Sequence, residues 1–167
     1  MKIIRIMILP LLLTVPGLAW GGFNEGLSAA QRGDYSVALR EWQPLAQQGD
    51  ANAQYHIGVL YHNGFGVTQD YQQAINWYRK AAEQGLAAAQ FNLGVLFHNG
   101  GKVKLDYVQA YMWFDIAGIN GVVQADNNRD VTATKMTPPQ IAEAKRLARE
   151  WVAKHPHPEA STSRSDR

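Results

Sequence analysis

The sequence predicts an all-α protein: an α–α superhelix, or solenoid, of about four antiparallel helical hairpins with a C-terminal capping helix. Three observations predict it. Residues 55–90 return without a gap as residues 91–126, a period of 36. Each period carries the same turn and cap residues at the same places. The last period closes on a helix with a strong start and a one-sided apolar face. A repeat of this length is a supersecondary unit that buries its apolar face only against its neighbours.

Residues 1–21 read as a secretory signal peptide. Lys2 and Arg5 form the charged start, Ile6 to Val15 the apolar stretch, and small residues precede two cleavage points, after Ala19 or after Gly21. Gly21 is preferred, because Gly22-Phe23 opens the first helical pattern. The apolar run is about ten residues, short of the roughly 20 that span a bilayer. The first repeat unit, about residues 23–50, is abbreviated. Phe23, Gly26, Leu27 and Ala30 supply a short first helix, and Gly33-Asp34 joins it directly to the second.

The full units, about residues 51–86 and 87–122, each hold a helix A and a helix B. Helix A of the former is expected from Ala51 to Asn63, with Asn63-Gly64-Phe65-Gly66 as its exit turn. Asp70 stands where an N-cap belongs, helix B continues to about Gln84, and Gly85 suits the left-handed position beyond its end. Ala53, Gly58 and Ala74 are small enough to let paired helices approach. Leu60, Tyr61, Trp77 and Tyr78 are large enough to fill the space between pairs. Gly58 recurs as Gly94, and glycine within a helix costs about 1 kcal/mol relative to alanine, so a packing reason is expected.

The last unit, about residues 123–154, has drifted. Asp126 to Lys135 is its expected helix A, with Asp130 where the glycine stood. Thr137-Pro138-Pro139-Gln140 then starts a helix expected to reach about Ala153. Ile141, Ala144, Leu147, Ala148, Trp151 and Val152 share one face of it. Glu143, Arg146 and Glu150 share the other at ion-pairing spacings. Residues 155–167 read as a disordered tail, with His155 and His157 solvated.

Composition narrows the function. The chain of 167 residues suits one domain, and the absence of cysteine excludes disulfides, thiol nucleophiles and cysteine-based metal sites. Removing Lys2 and Arg5 from 16 basic residues leaves 14 against 14 acidic ones. A near-neutral chain has no electrostatic footprint for nucleic acid.

The pattern Ala53-Gln54, Ile57-Gly58, Tyr61, Gly64-Phe65-Gly66-Val67, Asp70, Ala74, Trp77-Tyr78, Lys80-Ala81-Ala82 and Gly85 resembles the Sel1-like repeat family. The resemblance covers about residues 23–154. The stretch from Asn128 through Thr137-Pro138 to Trp151 is similar to the terminal cap of short exported bacterial members. It implies a tetratricopeptide-like, right-handed superhelix and an adaptor role in protein–protein contacts. Departures at Gly101-Lys102, Asp115-Ile116 and Gly118 are expected to touch a loop and a solvated face.

The family's geometry, carried onto this sequence, places a concave face on Asn52, Tyr55, Val59, His62 and Asn63. One repeat on, the positions are Ala88, Phe91, Val95, His98 and Asn99. Phe23 and Leu27 extend the face in the first unit, Asn127 and Val131 in the last. This stripe suits an extended peptide or partner helix, with charged groups almost absent. Tyr55 and Phe91 read equally well as groove residues or as packing between hairpins.

Catalysis is not expected. Some distant relatives have been linked to β-lactams, so the alternative is a cell-envelope enzyme acting on β-lactams or peptidoglycan. No Ser-x-x-Lys occurs, and Ser28 and Ser36 are the only serines before the tail. Thr132-Ala133-Thr134-Lys135 reads as solvated surface, and Asp34, Asp70 and Asp106 as helix caps. His62 and His98 recur as polar groove residues without an evident third ligand, so no metal and no cofactor are expected. The expectation is an exported monomer, periplasmic or secreted, that binds a protein or peptide, without nucleic acid and without stable membrane insertion after signal cleavage.

Overall fold

The structure, a computed structural model, describes residues 18–100 and 103–156, with side chains from residue 22 onward. Most of the expected signal peptide, the Gly101-Lys102 loop and residues 157–167 lie outside the described residues. Eight helices follow one another among the described residues: α1 (Leu18–Gln31), α2 (Tyr35–Gln47), α3 (Ala51–Asn63), α4 (Tyr71–Glu83), α5 (Ala87–Asn99), α6 (Tyr107–Ile119), α7 (Val123–Ala133) and α8 (Pro138–Lys154). None of the described helices is long and apolar enough to cross a membrane. α1/α2, α3/α4 and α5/α6 pack as hairpins, and α2, α4 and α6 in turn pack on α3, α5 and α7. The all-α solenoid is as the sequence predicts.

Local signals set the helix ends. The Asp70 carboxylate accepts from the amides of Gln72 and Gln73, and Asp106 accepts from Gln109. Asp50, overlooked in the sequence, does the same for Ala53 at 2.7 Å. Asp34 does not cap α2 through its side chain, which pairs with Arg32 instead at 3.3 Å. Gly85 takes a positive φ of 86° just past α4, a conformation costly for any residue with a Cβ. Ahead of α8, Gln140 reaches back to the Thr137 amide at 2.9 Å, one half of a capping box.

The glycines inside the A helices have the expected packing reason. A Cβ on Gly58 would lie 2.6 Å from the Tyr78 ring, and one on Gly94 would lie 2.5 Å from Phe114. Gly26 meets Trp42 in the same way, at 2.4 Å. Each hairpin is thus closed by one aromatic of helix B seated on one bare helical backbone. Tyr78 therefore fills its own pair, rather than the space between pairs as its size suggested. The shorter loop of the first unit shifts its register by four, so Phe23 stands at the place of Tyr55 and Phe91.

A second repeating device is polar. Buried Gln54 donates to the Ala46 carbonyl at 3.0 Å and accepts from Gln84 at 2.8 Å. One repeat on, Gln90 donates to Ala82 at 3.2 Å and accepts from Asn120 at 2.7 Å. A satisfied buried amide of this kind ties each unit to the helix before it.

The last unit departs. Asp126 occupies the position of these glutamines and cannot donate to a carbonyl; it turns to Arg129, which also holds Asp115 and Asp130. The chief contact of α8 is with α6. Its Ala144 and Ala148 are buried, Leu147, Trp151 and Val152 cover the core, and Trp151 meets Trp113 edge to face. The expected Arg146 pairs with Glu143 and Glu150 form on its outer side.

Three expectations are corrected. Asp115 and Ile116 do not lie on a solvated face: Ile116 is fully buried, and Asp115 binds Arg129 at 3.1 Å. Gly118 abuts the Asp126 carboxylate, where a Cβ would sit 2.7 Å from Oδ1. His155 is not a solvated tail residue, because its ring stacks on Trp151 with centroids 4.2 Å apart.

Candidate functional site

Helix periodicity turns one side of α3, α5 and α7 the same way, and the expected binding residues divide there by surroundings. Tyr55 is half-buried and leans on Tyr78, ring centroids 5.8 Å apart; Phe91 leans on Phe114 at 5.7 Å. Each therefore packs through one side and leaves part of its ring uncovered. Val59 is half-buried beside them, and Ala88 likewise. Phe23 and Leu27 pack toward Trp42, whose indole N–H donates to the Phe23 carbonyl at 3.2 Å. Asn52 is exposed, and exposed Asn63 donates back to the Val59 carbonyl of its own helix at 2.9 Å.

The residues that do come together lie between α5 and α7. Val95, His98 and Asn99 of α5 face Asn128 and Val131 of α7 across Phe114 of α6, enclosing a pocket of about 310 Å³. Asn127, the residue expected there, is exposed and does not line this pocket; its neighbour Asn128 takes the place.

A hydrogen-bonded chain spans the pocket edge. Thr132 Oγ1 donates to the Asn128 carbonyl at 2.6 Å, so it accepts from His98 Nδ1 at 2.8 Å. His98 Nε2 is then the acceptor for the Lys135 ammonium at 3.3 Å. The network assigns a neutral imidazole protonated at Nδ1. Burial and the adjacent Lys135 charge both hold the His98 pKa below its usual value. In the preceding unit, His62 Nδ1 faces the Tyr78 hydroxyl at 3.4 Å, and burial lowers the His62 pKa as well.

Thr132 is therefore not solvated surface as expected: it is fully buried, at the register of Leu60 and Leu96. Its hydroxyl hydrogen is committed to the Asn128 carbonyl, so His98 does not activate this threonine as a nucleophile. Nor is the face nearly free of charge, since Lys135 stands over His98 and over the Tyr107 ring, 5.5 Å from its centroid. Among the described residues, no group of three potential ligands could hold a metal ion.

The Sel1 repeat family model matches residues 51–86 and 87–122, the two full units. The chain is a Sel1-like repeat protein. It is similar to the crystal structure of a protective antigen present in uropathogenic Escherichia coli strains, which displays an SLR fold. The TM-score is 0.79 and the identity 35%, covering 89% of this chain and 33% of that one. It is also similar to a Sel1 repeat protein from Oxalobacter formigenes, with TM-score 0.62 and 28% identity over 78% of this chain and 54% of the other. The Sel1-like chain thus spans about a third and about half of the lengths of these two. Comparison with curated proteins gave no match.

The site residues missed in the sequence have a signal in the Sel1 period. Lys135 stands 36 residues after Asn99, and Asn128 stands 36 after Asn92 and 72 after His56. The drift in residue type concealed the unchanged register. Phe114 was hidden differently, since a buried helix B aromatic reaches this face only where Gly94 opens the way.

Proposed function

We propose that this Sel1-like repeat protein is an exported, non-catalytic module that holds a peptide or a partner protein along the shared face of α3, α5 and α7. The observation that carries this reading is the recurrence of Tyr55 and Phe91. Both are half-buried aromatics, one repeat apart, on the face that continues into the α5–α7 pocket. Partly covered aromatics supply large contact area at low entropic cost and dominate binding where partners desolvate them. The committed Thr132 hydroxyl supports a non-catalytic role. The charged start and short apolar run of residues 1–15 support export.

The test is the double variant Tyr55→Ala with Phe91→Ala. Capture of crosslinked partners from envelope extract should fall strongly, by about 2 kcal/mol per aromatic, while the protein stays helical. Thermal melting on the same preparation separates the packing role, which would instead lower stability by roughly 3–5 kcal/mol per aromatic. Unchanged capture at unchanged stability would discard the shared face as the binding surface.

A further inference from the structure

Resting on that reading of the face, the geometry points to the α5–α7 pocket as a site for the C-terminal carboxylate of an extended partner peptide, with its last side chain on the apolar floor. Lys135, beside the neutral His98 imidazole, supplies the charge at the pocket edge. The ammonium and Nε2 stand 3.3 Å apart, and no ion pair among the described residues includes Lys135. Its two contacts, the imidazole and the Tyr107 ring, orient the ammonium without neutralising it. A carboxylate there gains a charge-assisted hydrogen bond from a donor already held in place.

The floor selects which carboxylate. Val95, Phe114 and Val131 are apolar, and Val131 is left 53% exposed, while Asn99 and Asn128 offer amides to a peptide backbone. A chain terminus carries an apolar side chain and a carboxylate on the same residue, so it satisfies floor and edge together. An internal Asp or Glu presents its carboxylate in place of an apolar side chain and leaves the floor uncovered.

The hydrogen-bonded chain adds a proton to the binding step. Facing His98 are Tyr107 and Phe114 from α6, and Thr132 and Lys135 from α7 and its exit; Lys135 is the charged one among them. In the empty site Nε2 accepts from Lys135. A carboxylate that opens this contact and bridges the two groups is best served when Nε2 also donates, with Nδ1 still bound to Thr132. The ligand's negative charge opposes the burial and the Lys135 charge that depress the His98 pKa, so binding takes up a proton. Affinity therefore strengthens as pH falls through the range in which His98 of the complex takes up its proton.

The experiment titrates the full protein with N-acetyl-Ala-Ala-Val, with its C-terminal amide, and with N-acetyl-Ala-Glu-Ala amide. The free acid should bind at least about tenfold tighter than either amide. Its advantage should be larger at about pH 5.5 than at about pH 7.5. Lys135→Met, an exposed substitution, should erase the acid preference. His98→Gln should keep that preference and lose its pH dependence. Equal binding of acid and amide overturns the carboxylate site while leaving the partner-binding face intact. So does equal binding of the glutamate peptide. Binding of none of the three also overturns the site, and the face itself falls only if the Tyr55/Phe91 double variant also captures partners like the parent.

Discussion

In α3–α6 a glycine of each A helix lies beneath an aromatic of its B helix, and a buried glutamine ties each pair to the helix before it. In α7–α8 the corresponding positions hold Asp130 and Asp126, and α8 settles on α6. The two regions share a register and differ in what the register carries. Where the backbone is bare, a ring seats on it and a hairpin closes. Where a carboxylate stands, the carboxylates gather around Arg129, and the chain uses its last helix to cover the exposed side of α6. The same few positions that propagate the array also end it.

The largest expected effect comes from removing what covers α6. Deleting residues 138–167 uncovers the side of α6 that carries Trp113, which meets Trp151, and discards the half-buried Leu147, Trp151 and Val152. The loss should be on the order of 3–5 kcal/mol, visible as a lower melting temperature and as self-association in light scattering. A truncated protein as soluble and stable as the parent would mean that α8 is no cap.

The comparison sharpens at a single position. Gly94→Val puts an isopropyl group, beginning with its Cβ, into space already held by Phe114 and should cost about 2–3 kcal/mol by overpacking. Asp130→Val, one repeat later in the same register, should stay within roughly 0.5 kcal/mol, since Asp130 is exposed and its pair with Arg129 is peripheral. Chemical denaturation of the two variants in parallel decides the matter. Equal costs at both positions would show that helix-interior branching, and not ring seating, sets the penalty.

What the sequence made legible was local. The ends of α3, the capping by Asp70 and Asp106, and the apolar face of α8 all follow from residues within a turn or two of one another. The direction in which Tyr78 packs, the partner chosen by α8, and the burial of Ile116 and Thr132 depend on how neighbouring units stack. Thr132 shows the limit most clearly. Its residue type suggests surface, whereas its register places it where Leu60 and Leu96 are buried. The α5 side of the α5–α7 pocket was readable from periodicity. The other side, with Asn128 on α7 and Lys135 just beyond its end, needed the period to be trusted over the residue type.

The smallest effect tests the N-terminal region, where the face is closed by aromatics rather than left open as a pocket. His56 packs against Trp42 with centroids 4.8 Å apart and nearly parallel rings, with Phe23 at 5.6 Å and Tyr55 at 5.3 Å. Burial lowers its pKa, and Asp50 opposes only part of that shift. The unfolded chain, with a histidine pKa near about 6.5, then takes up its proton first as pH falls. Stability should be flat above that value and decline as pH drops below it toward the folded pKa, with His62 and His98 contributing in the same direction. His56→Gln should make this decline shallower relative to the variant's own plateau, which the lost ring stacking lowers, read from melting temperatures across that range. An imidazolium over Trp42 would recover about 0.5–1 kcal/mol of cation–π attraction, which works against the burial penalty. A slope unchanged by His56→Gln would mean that this attraction balances the burial. The aromatic cluster would then hold either protonation state equally well, and the pH dependence would belong to the histidines of the later units.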